Sequence, residues 1–158
     1  MILSGLSTVI SVLQMVRERR TRQGAERVVP QTILLVEDEE SILTCLAEFL
    51  GRSLSVEVLQ ARTGREAIVH LRVTKVDLLV VDLGLPDMPG TDVIRVLRTG
   101  AHLHSATNPK IPVVIISGLQ VDTKALLAVT SATQYIQKPI DLPSTMTAVQ
   151  AALRHSQN

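Results

Sequence analysis

The chain has 158 residues, 46% apolar and 20% charged, with a net charge of +1; that length allows one domain with a full core plus a short appendage, and that composition excludes intrinsic disorder. Near-neutrality argues against direct nucleic-acid binding, and one Tyr, one Phe and no Trp remove the stacking platform that single-stranded nucleic acid needs. The lone cysteine, Cys45, rules out an internal disulfide; between Leu43 and Leu46 it reads as a small buried hydrophobe, in keeping with a reducing, cytoplasmic setting.

In chain order, residues 1–20 predict a helix, with Ile2, Leu6, Val9, Leu13 and Val16 on one stripe suited to docking but too short for a coiled coil. Its basic cluster follows the apolar stretch instead of preceding it, which argues against a secretory signal, and the stretch is too polar and too short to span a membrane. "RERRTRQGAERVVPQ" reads as a polar linker punctuated by Gly24 and Pro30. "TILLV" predicts a buried strand. "EESILTCLAEFLGR" predicts a helix with Ile42, Leu43, Leu46, Phe49 and Leu50 inward and Gly51 as its stop. "SVEVLQA" alternates as a strand does, and "GREAIVHLRV" is helical with Ala67, Ile68 and Leu71 inward. "DLLVVD" is a continuous apolar strand, and "TDVIRVLRT" a helix with Val93, Ile94 and Leu97 inward. "IPVVIIS" is another buried strand, followed by the helix "TKALLAVTSA", the strand "QYIQK" and the closing helix "LPSTMTAVQAALRH".

Five strands thus alternate with five helices. Runs that are apolar throughout mean burial on both sheet faces, and right-handed crossovers then give an α/β fold, a doubly wound parallel sheet between helical layers. Ligands bind such sheets beyond the carboxyl ends of the strands. Those ends carry Glu37 and Asp38, Asp82, Ser117, and Lys138 before Pro139. Converging carboxylates repel one another and need proton uptake or a cation for relief. With only oxygen ligands and no His or Cys nearby, Mg2+ is the favoured ion. Carboxylates, a hard divalent ion, a lysine and a hydroxyl make a site for a phosphoryl group, with Asp82 as nucleophile.

The segments "ILLVEDEESI", "VVDLGLPDMPGTDVI", "IPVVIISG" and "YIQKPID" together resemble the receiver domain of bacterial two-component response regulators. The resemblance implies a flavodoxin-like strand order 2-1-3-4-5, with residues 32–158 forming the receiver and residues 1–31 an extra N-terminal helix and linker. It implies that Asp82 is the phosphoacceptor, with Ser117 and Lys138 serving the chemistry. Asp38 and Asp82 would bind Mg2+ directly, Glu37 largely through water, and Gly84 through its carbonyl. Ser117 and Tyr135 would be the switch pair, and the Lys138–Pro139 bond would be cis. Phosphorylation would draw in the Ser117 hydroxyl, let the Tyr135 ring turn inward, and reshape the face of the fourth helix, fifth strand and fifth helix. A sensor histidine kinase or phosphotransfer protein would supply the phosphoryl group, and a downstream protein would read the result, with homodimerisation through the N-terminal or fourth helix as a further expectation. The only enzymatic activity expected is self-phosphorylation and self-dephosphorylation.

Three other functions compete. A haloacid-dehalogenase-like phosphatase wants a second Asp two residues past the nucleophile, where this chain has Gly84; a flavodoxin-like flavin carrier wants a Ser/Thr/Gly-rich phosphate loop where this chain has "EDEE". A degenerate receiver acting only as an interaction module would not need the intact acids, hydroxyl and lysine. Gly84 and Leu119 place no polar side chain beside the acyl phosphate, which predicts slow self-dephosphorylation. Ser131 stands where the family has glycine before the fifth strand, and "ALLAV" is unusually apolar for an exposed helix. His102 and His104 lack further ligands and read as solvated, as do His70 and His155. The chain ends at Asn158 after the last predicted helix, so the expectation is a stand-alone receiver or a piece of a larger regulator or hybrid kinase.

Overall fold

The computed structural model describes residues 29–156. The predicted N-terminal helix and most of its linker lie outside these residues. Strands β1 (Thr32–Val36), β2 (Glu57–Ala61), β3 (Leu78–Val81), β4 (Val113–Ser117) and β5 (Gln134–Gln137) alternate with helices α1 (Glu40–Leu54), α2 (Gly64–Val73), α3 (Gly90–Thr99), α4 (Thr123–Thr130) and α5 (Leu142–His155). All pairings are parallel, in the order β2-β1-β3-β4-β5, as the resemblance implies. Among these residues no helix is long and apolar enough to cross a membrane.

The unbroken apolar runs follow from the layering. Along β1, Ile33 and Leu35 enter one core layer and Leu34 and Val36 the other; β3 and β4 alternate in the same way. One layer is closed by Leu43, Leu46 and Leu50 of α1 with Val149 and Leu153 of α5. The other is closed by Ala67 and Leu71 of α2 with Val93, Ile94 and Leu97 of α3. Each fully buried aliphatic side chain contributes about 1.5–3 kcal/mol, so the three central strands carry much of the stability. The edge strands differ: β2 buries only Ala61 fully, and β5 none of its residues.

Three expectations need correction. Cys45 is exposed, because the buried set Leu43, Leu46, Ala47 and Leu50 defines a helical face from which position 45 points away. Gly51 does not stop α1. The helix continues to Leu54, which packs on the core, and ends where Ser55 turns left-handed at φ 53°. Ile42, Phe49 and Ile68 are half-buried instead of inward.

Helix α4 buries only Thr130 and leaves Leu119, Val121 and Val129 exposed around it. It ends at Ser131, which adopts a left-handed φ of 51° without the glycine, a conformation costing about 1–2 kcal/mol for an L-residue. The Arg98 guanidinium of α3 supports that turn. It donates to the carbonyls of Pro109 at 2.7 Å, Ile111 at 3.0 Å, Ser131 at 3.1 Å and Thr130 at 3.4 Å. One cation thus joins the end of α3, the approach to β4 and the foot of α4.

Candidate functional site

Parallel pairing in near register brings the carboxyl ends of the strands level: Val36 stands beside Val81, and Val81 beside Ile115. The chain leaves β1 with Glu37 and Asp38 and leaves β3 with Asp82, on neighbouring strands. One carboxylate oxygen from each of Glu37, Asp38 and Asp82 lies within 4.8 Å of the others. Glu37 is 2% exposed and Asp82 6%, so these charges sit largely out of water and need partners.

The partners are specific. The Lys138 ammonium, one residue past β5, is 2.6 Å from Glu37 Oε2 and 2.6 Å from Asp82 Oδ2. The main chain holds the remaining oxygens: the Glu39 N–H donates to Glu37 Oε1 at 3.1 Å and the Gly84 N–H to Asp82 Oδ1 at 2.9 Å. Burial raises the Glu37 carboxyl above the usual carboxylate range, outweighing the bonds from Lys138 and Glu39, and the Asp82 charge pushes the same way. Burial pulls Lys138 down, but its hydrogen bonds to Asp82 and Glu37 prevail and the net shift is upward, so the ammonium keeps its proton. Lys138–Pro139 is cis, as expected from the resemblance.

The other expected residues stand close by. Ser117 ends β4, is 1% exposed, and its hydroxyl accepts from the Leu119 N–H at 3.2 Å instead of engaging the acids. Tyr135 is half-buried in β5, and its hydroxyl donates to the Leu119 carbonyl at 2.7 Å and the Ser117 carbonyl at 3.3 Å. Leu119 therefore touches both Ser117 and Tyr135 through its own peptide groups. Gly84 is exposed, and a side chain there would sit 3.8 Å from Asp82 Oδ1, an ordinary contact; its absence leaves that flank of the carboxylate open. His104 is occupied within its own loop, accepting through Nδ1 from the Ala106 N–H at 3.2 Å, and the His155 ring lies 2.7 Å from the Ala151 carbonyl.

An oxygen-only donor set with net negative charge fits a hard divalent cation. Among the described residues, Glu37, Asp38 and Asp82 form the one group of three acids or other ligand side chains able to hold a metal. Beside them a cleft of about 400 Å³ is lined by Asp38, Arg62, Thr63, Glu66 and Pro86. Next to Pro86 of that lining stands a residue that sequence reasoning missed. Asp87, in the loop after β3, accepts from the Gly64 N–H at 2.8 Å and the Arg65 N–H at 3.0 Å, across the first turn of α2. These bonds, the Gly64 one foremost, hold the Asp87 carboxyl below its ordinary range. An aspartate between two prolines announces a turn, but nothing local identifies a partner more than twenty residues upstream.

The model for the response regulator receiver domain matches residues 33–150. The cell cycle transcriptional regulator CtrA of Caulobacter vibrioides is 30% identical over 125 residues, which cover 78% of this chain and 51% of that protein. The CAI-1 autoinducer sensor kinase/phosphatase CqsS of Vibrio cholerae is 31% identical over 110 residues, 69% of this chain and 15% of the kinase. The chain thus spans about half the length of the first of these relatives and a small part of the second. Among solved structures, the signal receiver domain of a putative LuxO repressor protein from Vibrio parahaemolyticus superposes with a TM-score of 0.70 at 27% identity, covering 81% of this chain and 93% of that one.

Proposed function

This chain belongs to the response regulator receiver domain family, and from that premise we propose that it is a phosphorylation-activated signalling switch with Asp82 as the phosphoacceptor. A sensor histidine kinase or phosphotransfer protein in the same cytoplasm is the donor. One oxygen of Asp82 attacks the phosphorus of a phosphohistidine, a P–O bond forms, the P–N bond breaks, and the imidazole leaves with that electron pair. The observation that carries this reading is the Lys138 ammonium held 2.6 Å from both Glu37 and Asp82, with Asp38 in the same cluster.

Each residue has a physical task. The Gly84 N–H and the Lys138 ammonium fix the two oxygens of Asp82, so the nucleophile is positioned before the donor arrives. Lys138 also neutralises negative charge on the transferring oxygens, which is most of what phosphoryl transfer requires. Asp38 and Asp82 would hold Mg2+ directly, with the Gly84 carbonyl, and Glu37 would do so through water; bound there, the ion supplies further positive charge to the phosphoryl oxygens. Burial of Glu37 and Asp82 strengthens each of these interactions.

The switch follows from the Leu119 bridge. For the Ser117 hydroxyl to turn toward a phosphoryl group on Asp82, it gives up the bond from the Leu119 N–H. The Leu119 carbonyl, in the next peptide unit, is the acceptor for Tyr135, so a shift that carries Leu119 as a whole residue releases the ring as well. The surface that changes is α4, β5 and α5, where Leu119, Val121 and Val129 are already exposed to a partner.

Incubating the protein with acetyl phosphate and Mg2+, followed by mass spectrometry, tests the acceptor. Wild type gains one phosphoryl group, and Asp82→Asn gains none. An adduct that survives the substitution moves the acceptor elsewhere.

A further inference from the structure

We propose that Asp87 is a positioning residue for the phosphoryl site, clamping the loop between β3 and α3 to the first turn of α2 and so fixing Gly84 and the cleft beside Asp38. The proposal rests on Asp82 being the acceptor and adds a residue that touches neither metal nor phosphoryl group.

The loop has two ends to hold. Its base is closed by its own main chain: Gly84 pairs with Pro89 in an antiparallel bridge, and the Gly90 N–H donates to the Leu83 carbonyl at 2.9 Å. Gly90 lies so close to β3 that a Cβ there would stand 2.1 Å from the Asp82 carbonyl oxygen. The tip carries Asp87 and Met88, and Asp87 ties it to α2 while Met88 packs on the core layer beneath. Asp87 spans the Gly64 and Arg65 N–H groups with its two oxygens, at 2.8 and 3.0 Å. Met88 packs where Gly64 has no side chain; a Cβ at Gly64 would lie 2.4 Å from Met88 Cγ and 2.6 Å from its sulfur.

Helix α2 already has a cap of its own. Thr63 accepts from the Glu66 N–H at 3.1 Å, and the Glu66 carboxylate accepts from the Arg62 N–H at 2.7 Å, a close relative of the capping box. Asp87 is therefore not needed to start the helix. What it adds is a tie between two elements that line one cleft with Asp38: Thr63 and Glu66 at the start of α2, and Pro86 of the loop. Gly84, whose N–H holds Asp82 Oδ1, lies three residues before Asp87 on the same loop. Without the Asp87 bonds the loop keeps its base pairings and the Met88 packing but loses its tie to α2, and the added freedom reaches the Gly84 peptide, which is part of that base.

The test compares wild type, Asp87→Ala and Asp87→Asn in the full chain, by Mg2+ titration, phosphorylation rate with acetyl phosphate, and hydrogen exchange of the Gly84 amide. The alanine variant binds Mg2+ about tenfold more weakly, the scale seen when a group supporting metal ligands is removed, and its Gly84 amide exchanges faster. Asparagine, which keeps one acceptor oxygen, lies between. Unchanged Gly84 exchange in the alanine variant overturns the clamp. A lowered melting temperature with Mg2+ affinity and phosphorylation rate intact reduces Asp87 to a structural tie and overturns its role at the site. If wild type itself takes up neither Mg2+ nor phosphoryl group, the functional reading fails and this role fails with it, while faster Gly84 exchange would still identify the clamp.

Discussion

Replacing Lys138 with methionine keeps the length of the side chain and removes its charge, leaving Glu37 Oε2 and Asp82 Oδ2 without the ammonium that sits 2.6 Å from each. Deleting one member of a buried ionic cluster costs about 3–5 kcal/mol. The Lys138 side chain is 19% exposed, so water relieves part of the loss and the lower figure, about 3 kcal/mol, applies. For a domain of this size that lowers the melting temperature by roughly 10 °C. The deficit also has a definite pH dependence. Glu37 has a raised value in the folded protein, chiefly through burial, so between the ordinary and the raised value the native state binds more protons there than the unfolded chain. Its contribution to stability is then most favourable below the ordinary carboxylate value and declines as pH climbs through the raised one. Lys138, also raised, stabilises fully below its ordinary value and loses that effect only as pH rises through its folded one, far into the alkaline range. Without the ammonium the Glu37 value climbs further, so the variant's deficit against wild type is smaller at about pH 5 than at about pH 7. Calorimetric scans of both proteins at the two pH values measure this. An equal deficit at both would mean that Lys138 contributes packing alone and that the acids do not depend on its charge.

Three further outcomes are expected. Gly90→Ala forces a Cβ against the Asp82 carbonyl oxygen at 2.1 Å and against Leu83 Cα at 2.9 Å; these are backbone atoms that cannot swing aside, so the cost is about 3 kcal/mol, read as a lower urea midpoint, and an unchanged midpoint would refute the close packing. Thr145 is fully buried in α5 with a hydroxyl that has no hydrogen-bond partner among the described residues, so Thr145→Val stabilises by about 1 kcal/mol in urea denaturation, whereas a loss would show that the hydroxyl is satisfied. With no side chain at Gly84 beside Asp82 and an apolar Leu119 two residues past Ser117, the phosphoryl group persists for minutes after donor removal by mass spectrometry, and decay within seconds would contradict this.

The sheet was legible because the three central strands are buried on both faces and therefore apolar at every position, a pattern no surface segment imitates. Asp82 stood out for the same reason: a carboxylate ending such a run must be paired, and Lys138 pairs it. Cys45 was misjudged because proximity in sequence to Leu43 and Leu46 is not proximity on a helix, where the buried positions set the face. Gly51 reads as a stop because glycine weakens a helix, while the contact that prolongs α1, Leu54 against the core, is tertiary. Asp87 escaped for a related reason, since its role lies in the two N–H groups of Gly64 and Arg65 and these meet the loop only once α2 has docked. Ser131 was recognised as standing in place of a glycine, but what supports it there, Arg98, lies 33 residues earlier.

Arg98 also has a mechanical consequence. Its bonds to Thr130 and Ser131 fasten the lower end of α4 to α3, while the upper end joins β4 only through residues 118–122. A displacement of α4 that keeps those bonds is a swing about an anchored foot, not a slide along the sheet. The amplitude of such a swing would be greatest at the end nearest Asp122 and smallest at Thr130, with the Arg98 guanidinium and the buried Thr130 as its pivot.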